Sequence, residues 1–318
     1  MSTTIRRDST APPLTGIALY SRFYLAGAIC CSVTHGSLTP VDVIKTRIQL
    51  EPTIYNKGMV GTFRQIVKAE GSGALWTGFG PTFLGYFLQG GFKFGGYEFW
   101  KKTLIDFVGR ENAIQNRTAI YLVGAGIAEF FADVALCPLE ATRIRLVSQP
   151  TFARGLTTGF SRILREEGFI HGFYSGFGPI IFKQIPYTMA KFVAFEHSTE
   201  VILGHLGDPA KLSPSAMTGV NLTAGLCAGV AAALVSQPAD TLLSKINKTS
   251  GTGSASSRLL GLARELGPRG LFLGMGARLI QVAALTSLQF GIYGGLKQAF
   301  GATNGVEIHK IKNPQTYT

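Results

Sequence analysis

Charge is scarce in this chain, and acid is scarcer than base: 15% of the 318 residues are charged, and 18 Asp or Glu stand against 30 Lys or Arg. Soluble domains ordinarily carry about 25% charged residues, so a wholly water-facing surface is hard to build from this set. Cysteine is limited to Cys30, Cys31, Cys137 and Cys227, with no CxxC pair, which argues against a disulfide framework. All four lie in apolar stretches, where free cysteine behaves as a small core residue. Zinc spacings, nucleic-acid modules and basic patches interleaved with aromatics are missing, so the net charge of +12 is not read as nucleic-acid binding. Gly78-Phe79-Gly80 lacks the lysine and hydroxyl of a phosphate-binding Walker loop, and no nucleophile or metal site stands out. Neither an enzyme nor a cofactor is expected. Pro12 and Pro13 follow Arg6 and Arg7 in place of a continuous apolar core, so the N-terminus reads as a short exposed tail and not a secretory signal.

What the chain has instead is apolar bulk: 46% hydrophobic residues, 40 glycines and a mean hydropathy of +0.24. Windows at 119–137, 222–235 with its flanks and 279–296 approach the roughly 20 apolar residues that cross a bilayer as helix. None is free of polar residues. Spans with glycines and a polar stripe suit a bundle around an aqueous cavity better than a simple anchor.

Three stretches repeat. Pro40-Val41-Asp42-Val43-Ile44-Lys45-Thr46-Arg47, Pro138-Leu139-Glu140-Ala141-Thr142-Arg143-Ile144-Arg145 and Pro238-Ala239-Asp240-Thr241-Leu242-Leu243-Ser244-Lys245 begin 98 and 100 residues apart. Each is followed by a glycine, a spacer, an aromatic and a second glycine: Gly71, Trp76 and Gly78; Gly168, Tyr174 and Gly176; Gly267, Phe272 and Gly274. Ahead of these lie Phe63, Ile66 and Val67, then Phe160, Ile163 and Leu164, then Leu259, Leu262 and Ala263, at the i, i+3, i+4 spacing of an amphipathic helix.

Each repeat therefore reads as a spanning helix with a proline near its end, a loop with a surface helix, and a second spanning helix. The expected fold is all-α and membrane-embedded, with six transmembrane helices in three pseudo-threefold two-helix repeats. The expected divisions are an N-terminal tail over 1–20, repeats over 21–110, 111–208 and 209–302, and a C-terminal tail over 303–318. The loops 45–80, 143–178 and 245–276 hold five Lys or Arg each, 15 of the chain's 30. The positive-inside rule places them on the cytoplasm-equivalent face and both termini on the other.

A proline inside a spanning helix kinks it, so three such helices can converge and close a cavity. The acid two residues beyond it and the base five beyond can pair around the ring as a breakable gate, the plainer reading being pairing within a helix. His35 lies seven residues before Asp42, and Glu129 and Asp133 lie eleven and seven before Glu140, offsets that return to one helical face. Ionisable groups inside spans are functional candidates, and a His with two carboxylates points to a proton relay. Lys93, Lys183, Lys191 and Arg278 are the cations available to an anion. Lys93 and Lys191 sit near expected helix ends, where snorkelling is the plainer reading, while Lys183 is expected to lie deeper.

The threefold P-x-[DE]-x-x-[KR]-x-[KR] motif with its aromatic-glycine companion resembles the mitochondrial carrier family over nearly the whole chain. The runs Thr39–Leu50, Lys93-Phe94-Gly95-Gly96-Tyr97-Glu98, Lys183-Gln184-Ile185-Pro186-Tyr187 and Ser236-Gln237-Pro238-Ala239-Asp240 resemble its phosphate-carrier branch, especially the fungal form. The resemblance implies a mitochondrial inner-membrane protein that imports inorganic phosphate into the matrix with a proton, or in exchange for hydroxide. It implies a monomer in the bilayer, in contact with anionic lipid such as cardiolipin. Another small anion, or copper, is the alternative cargo.

The family arrangement pairs the acid of one repeat with the base of the next. That implies Asp42 with Arg143 and Asp240 with Lys45 at the matrix gate, and leaves Glu140, opposite Leu243, free for hydrogen bonding or a proton. At the cytoplasmic gate the family signature is complete only in Tyr97-Glu98-Phe99-Trp100-Lys101. Thr199 and Gly294 interrupt the other copies, so Glu196 with Lys297 is the pair implied there, and this gate is expected to be the weaker one. Family substrate contacts map onto Gly85, Lys183 with Gln184, and Gln281, with Arg278 nearby. Proton coupling maps onto His35 and Glu129.

Overall fold

The computed structural model describes residues 16–51, 53–149, 151–207, 212–246, 255–272 and 275–302, with side chains left aside at 49–50, 243–246, 255–260 and 277. Among the described residues there is no strand, and the chain forms twelve α-helices. The first span is α1 (Gly16–Ser37) continued by α2 (Thr39–Leu50). Leu38 separates them two residues ahead of Pro40, which withdraws a backbone donor. In α6 (Arg117–Ser148) and α10 (Pro214–Ile246) the matching Pro138 and Pro238 lie inside one continuous helix. The even spans are α4 (Phe79–Val108), α9 (Phe177–Leu206) and α12 (Met275–Ala299).

These long helices pack as a closed ring: α1 on α4, α4 on α6, α6 on α9, α9 on α10, α10 on α12, and α12 back on α1. Within repeats the contacts are close. Gly27 of α1 faces Gly90 of α4, and a Cβ on either would overlap the other's carbonyl oxygen. Such contacts let helices associate without a hydrophobic driving force between them.

Polarity is distributed inside out. Leu226, Val230 and Leu234, one turn apart on α10, face outward, as do Phe92, Phe99, Phe130 and Phe131, whereas Gln89, Lys93, Lys101, Glu129, Asp133 and Lys191 are buried. By length and composition alone, α1, α6, α10 and α12 are apolar enough to cross a membrane. Helices α4 and α9 fall short because they carry the interior charges, yet at 30 residues each they run about 45 Å, beyond the roughly 30 Å of a hydrocarbon core.

The loops hold amphipathic helices α3 (Gly58–Glu70), α7 (Leu156–Glu166) and α11 (Ala255–Leu271, broken at Gly267) and the short α8 (Phe169–Tyr174); α5 (Arg110–Gln115) links the first two repeats. Ile66 and Ile163 are the buried anchors, while Phe63 and Leu164 of the same sequence pattern stay exposed. The repeated glycine has a backbone reason: Gly71, Gly168 and Gly267 take φ of 83°, 78° and 58°, a left-handed region that a Cβ disfavours. Ion pairs tie each loop to its span in the first two repeats, Arg47 with Glu70 and Arg145 with Glu167. Lys245, at the matching place, lies outside the described side chains.

Candidate functional site: a cationic cavity inside the helix ring

The ring encloses a cavity of about 410 Å³. Its walls are Cys31 and His35 of α1, Lys45 of α2, Tyr86, Gln89 and Lys93 of α4, and Lys183, Gln184, Tyr187 and Lys191 of α9. Gln237 and Asp240 of α10 and Arg278, Gln281, Val282, Leu285 and Gln289 of α12 complete the described lining. Among the described residues five cations meet one carboxylate. That imbalance favours an anion, and the amides and the phenol can hydrogen-bond its oxygens.

Near the loop side, Asp240 Oδ1 lies 2.7 Å from Lys183 Nζ and its other oxygen accepts from Arg278, which also donates to Ser236 Oγ at 2.8 Å. Arg143 holds Asp42 at 3.1 Å and Glu140 at 3.0 Å. Lys45 is exposed and the Lys183 side chain is 39% exposed, so the cavity is accessible from this side.

Deeper in, His35 stacks on Tyr86 with ring centroids 3.7 Å apart, and its Nε2 lies 3.1 Å from Gln289 Nε2. The same amide's oxygen accepts from Lys191 Nζ at 3.4 Å. On the α4–α6 side, Lys93 Nζ lies 3.0 Å from Glu129, while Gln89 Nε2 donates to Glu129 at 3.3 Å and Asp133 at 3.2 Å.

The cavity floor is aromatic. Phe94, Phe192 and Phe290, one from each repeat, meet with centroids 5.3, 5.7 and 5.8 Å apart. Tyr97 stacks on Phe192, and Phe195 on Phe290 at 3.6 Å. Beyond this layer the buried Lys101 Nζ meets Glu98 at 3.2 Å and Glu196 at 3.1 Å, and the Tyr97 hydroxyl donates to Glu196 at 3.1 Å. The termini side is thus closed by rings and an ion cluster together.

A family model described as "Mitochondrial carrier protein" matches this chain three times, over residues 20–108, 115–206 and 215–304. The chain belongs to the mitochondrial carrier family. It is 46% identical over 290 residues to a "Mitochondrial substrate carrier family protein N" of Dictyostelium discoideum, covering 90% of this chain and 96% of that one. It is 39% identical over 298 residues to a "Probable mitochondrial phosphate carrier protein" of Schizosaccharomyces pombe, covering 90% and 94%. With "Solute carrier family 25 member 3" of Homo sapiens it shares 40% identity over 278 residues, covering 87% and 75%.

Several placements in this carrier differ from those the sequence suggested. Asp240 meets Lys183 and Arg278 in place of Lys45, because α9 and α12 flank α10 while Lys45 stands exposed on α2. Glu140 is not free but shares Arg143 with Asp42, being one helical turn from it; Leu243, its expected counterpart, lies outside the described side chains. Glu196 meets Lys101 of the preceding repeat, while the Lys297 ammonium lies over the rings of Phe23 and Tyr293. Gly85 does not line the cavity; it lets α4 approach Leu136 and Leu139 of α6.

Lys93 and Lys191 are not snorkelling. Each is the fifteenth residue of a 30-residue helix and is buried, whereas Lys183, the seventh residue of α9, sits nearer the mouth. Glu129 and Asp133 stand behind Gln89 and Lys93, outside the cavity lining, and His35 alone of the three looks into it. The bridging roles of Gln89 and Tyr86 were not read from the sequence; Gln89 is one helical turn before Lys93, which was the available signal. For a soft metal such as copper, Cys31 lines the cavity, but the Cys30 thiol is turned to the Gln289 carbonyl at 3.0 Å.

Proposed function

We propose that this carrier imports inorganic phosphate across the mitochondrial inner membrane into the matrix by alternating access, together with a proton or equivalently against hydroxide. The observation that carries the reading is that the described cavity lining sets Lys45, Lys93, Lys183, Lys191 and Arg278 against the carboxylate of Asp240. A small tetrahedral oxyanion suits it: ammonium and guanidinium groups neutralise charge, and Gln184, Gln281 and Tyr187 serve the remaining oxygens. Similarity to proteins named phosphate carriers supports the choice among small anions.

Proton coupling is supported by the buried carboxylates Glu129 and Asp133 beside the cavity, with His35 stacked at its wall. A monovalent phosphate entering with a proton moves no net charge. The pH gradient then drives import, because an uncompensated charge would couple at about 2.3 kcal/mol per 100 mV to the membrane potential. The basic loops face the matrix and both termini face the intermembrane space in this reading, so the structure corresponds to a matrix-accessible state. A single ring encloses the cavity, so the working unit is a monomer, and the basic loop helices suit anionic lipid at the matrix leaflet.

Purified carrier in liposomes should take up labelled phosphate along an imposed pH gradient, and uptake should collapse when an electroneutral proton exchanger removes the gradient. Uptake indifferent to the gradient overturns the coupled reading. Failure of excess phosphate to compete, with another small anion competing instead, overturns the substrate.

A further inference from the structure

We infer that Lys93 is the cation through which anion binding and proton uptake are coupled, with Gln89 as the positioning residue for the carboxylates that take the proton. The inference rests on the anion-with-proton reading above and assigns the coupling to particular atoms. Lys93 faces two ways: its side chain lines the cavity, and its Nζ lies 3.0 Å from Glu129 Oε1, on a carboxylate with no exposure. Among the described ion pairs of the five cavity cations, this is the one that reaches the carboxylates behind the wall. Lys183 and Arg278 are engaged with Asp240 at the mouth, and Lys191 meets the Gln289 oxygen.

Glu129 and Asp133 are four residues apart on α6 and so lie one above the other on the same face. One amide group serves both, with Gln89 Nε2 at 3.3 Å from Glu129 Oε1 and 3.2 Å from Asp133 Oδ1. Glu129 Oε2 and Asp133 Oδ2 are buried with no hydrogen-bond partner. Two ionised carboxylates here would share a single ammonium, and a buried uncompensated charge carries a heavy desolvation penalty. The resting pair therefore holds one proton, balanced by Lys93.

An anion entering the cavity competes for that ammonium. When Lys93 turns to the anion, the pair loses its counter-charge and takes a second proton from the aqueous cavity onto a carboxylate oxygen. One O–H bond forms and no other bond changes. For a monovalent phosphate, the anion and the proton together bring no net charge. The other titratable groups around Lys93 and the two carboxylates include Cys31 and His35 of α1, Tyr86 of α4 and Lys191 of α9, with Cys137 of α6 beside Asp133; His35 is held between Tyr86 and Gln289, and the Cys137 thiol is turned to the Phe173 carbonyl. Among the described hydrogen bonds and ion pairs, none of these joins the anion's space to the pair.

The test is inorganic phosphate binding to the purified full chain in detergent, measured by titration calorimetry from pH 6 to 8. One linked proton weakens wild-type binding by up to about tenfold per pH unit, beyond the part due to the phosphate's own ionisation, which is common to every variant. In Glu129→Gln/Asp133→Asn the pair cannot ionise, so this extra slope should vanish and binding at pH 8 should be at least as tight as wild type. Lys93→Gln should bind weakly at every pH without the extra slope, and Gln89→Leu should displace the slope along the pH axis. A double variant with the wild-type profile overturns the inference. Should the variants not fold, the wild type decides alone: calorimetry in buffers of different ionisation enthalpy should show proton uptake with phosphate, and none overturns the inference. A wild type that binds no phosphate overturns the functional reading above, a separate outcome.

Discussion

The ammonium of Lys101 lies 3.1 Å from Glu196, joining the first repeat to the second beyond the aromatic floor, with only 1% of the lysine exposed. Glu98 shares the same ammonium at 3.2 Å. Truncation by Lys101→Met therefore removes the shared counter-charge of two carboxylates in a poorly hydrated place. Breaking a buried pair from one side costs about 3–5 kcal/mol, and the partial exposure of Glu196 puts this case at the lower end. The unfolding temperature in detergent should fall by several degrees and phosphate uptake should drop at least tenfold. An unchanged unfolding temperature would show that the cluster does not hold this side closed.

At the opposite face Arg143 serves two acids, Asp42 of the first repeat at 3.1 Å and Glu140 of its own helix at 3.0 Å. Removing the base takes the direct ion-pair partner from both carboxylates, whereas Asp42→Asn leaves Arg143 on Glu140. Arg143→Ala should therefore lower uptake by well over tenfold and Asp42→Asn by a few-fold. Initial rates in liposomes at matched protein content measure the ratio; equal losses would mean that Glu140 contributes nothing.

The threefold period made these levels legible in advance. Positions one repeat apart share a height in the ring: Phe94, Phe192 and Phe290 fall 98 residues apart, and the left-handed glycines Gly71, Gly168 and Gly267 were visible as a matched set, whereas the pairing of Asp42 with Arg143 was implied by the family resemblance. Periodicity does not say which neighbour a side chain turns toward. Glu196 can reach either the preceding or the following repeat, and the geometry chooses Lys101. Depth was also hidden, because α4 and α9 run on to Val108 and Leu206 through charged sequence that hydropathy does not count as span. Lys93 and Lys191 are therefore central, and the amide of Gln89 that joins two acids on another helix leaves no repeat in the sequence to find it by.

The loop clip predicts a pH dependence of stability. Hydrogen bonds from the Arg47 guanidinium hold the Glu70 carboxyl below the usual carboxylate range, against a smaller opposing effect of burial. A carboxyl depressed in the folded state contributes stability that is fully present above its unfolded pKa of about 4.3 and is lost as pH falls through the folded value. Glu70 is a third exposed, so the contribution is screened and amounts to less than about 1 kcal/mol. Glu70→Gln should lower the unfolding temperature slightly at pH 7 and make no difference at pH 3. A deficit that persists at pH 3 would assign the effect to packing and not to charge.

The aromatic floor and the Lys101 cluster close the same side by different physics, so their loss should read out differently. Phe94 touches both Phe192 and Phe290, at 5.3 and 5.7 Å, and is itself buried. Phe94→Ala removes the ring that bridges the other two. Phe→Ala in a packed core costs about 3–5 kcal/mol through lost burial and the cavity left behind. Here the new space would connect a cationic cavity to the termini side with only the ion cluster between them. The expected result is a small anion-selective leak in planar bilayers or in chloride-loaded liposomes, alongside reduced coupled uptake. Lys101→Met, which leaves the rings in place, should show the stability loss without that leak. If the two variants leaked equally, the rings would not be the seal, and closure would belong to the charges alone.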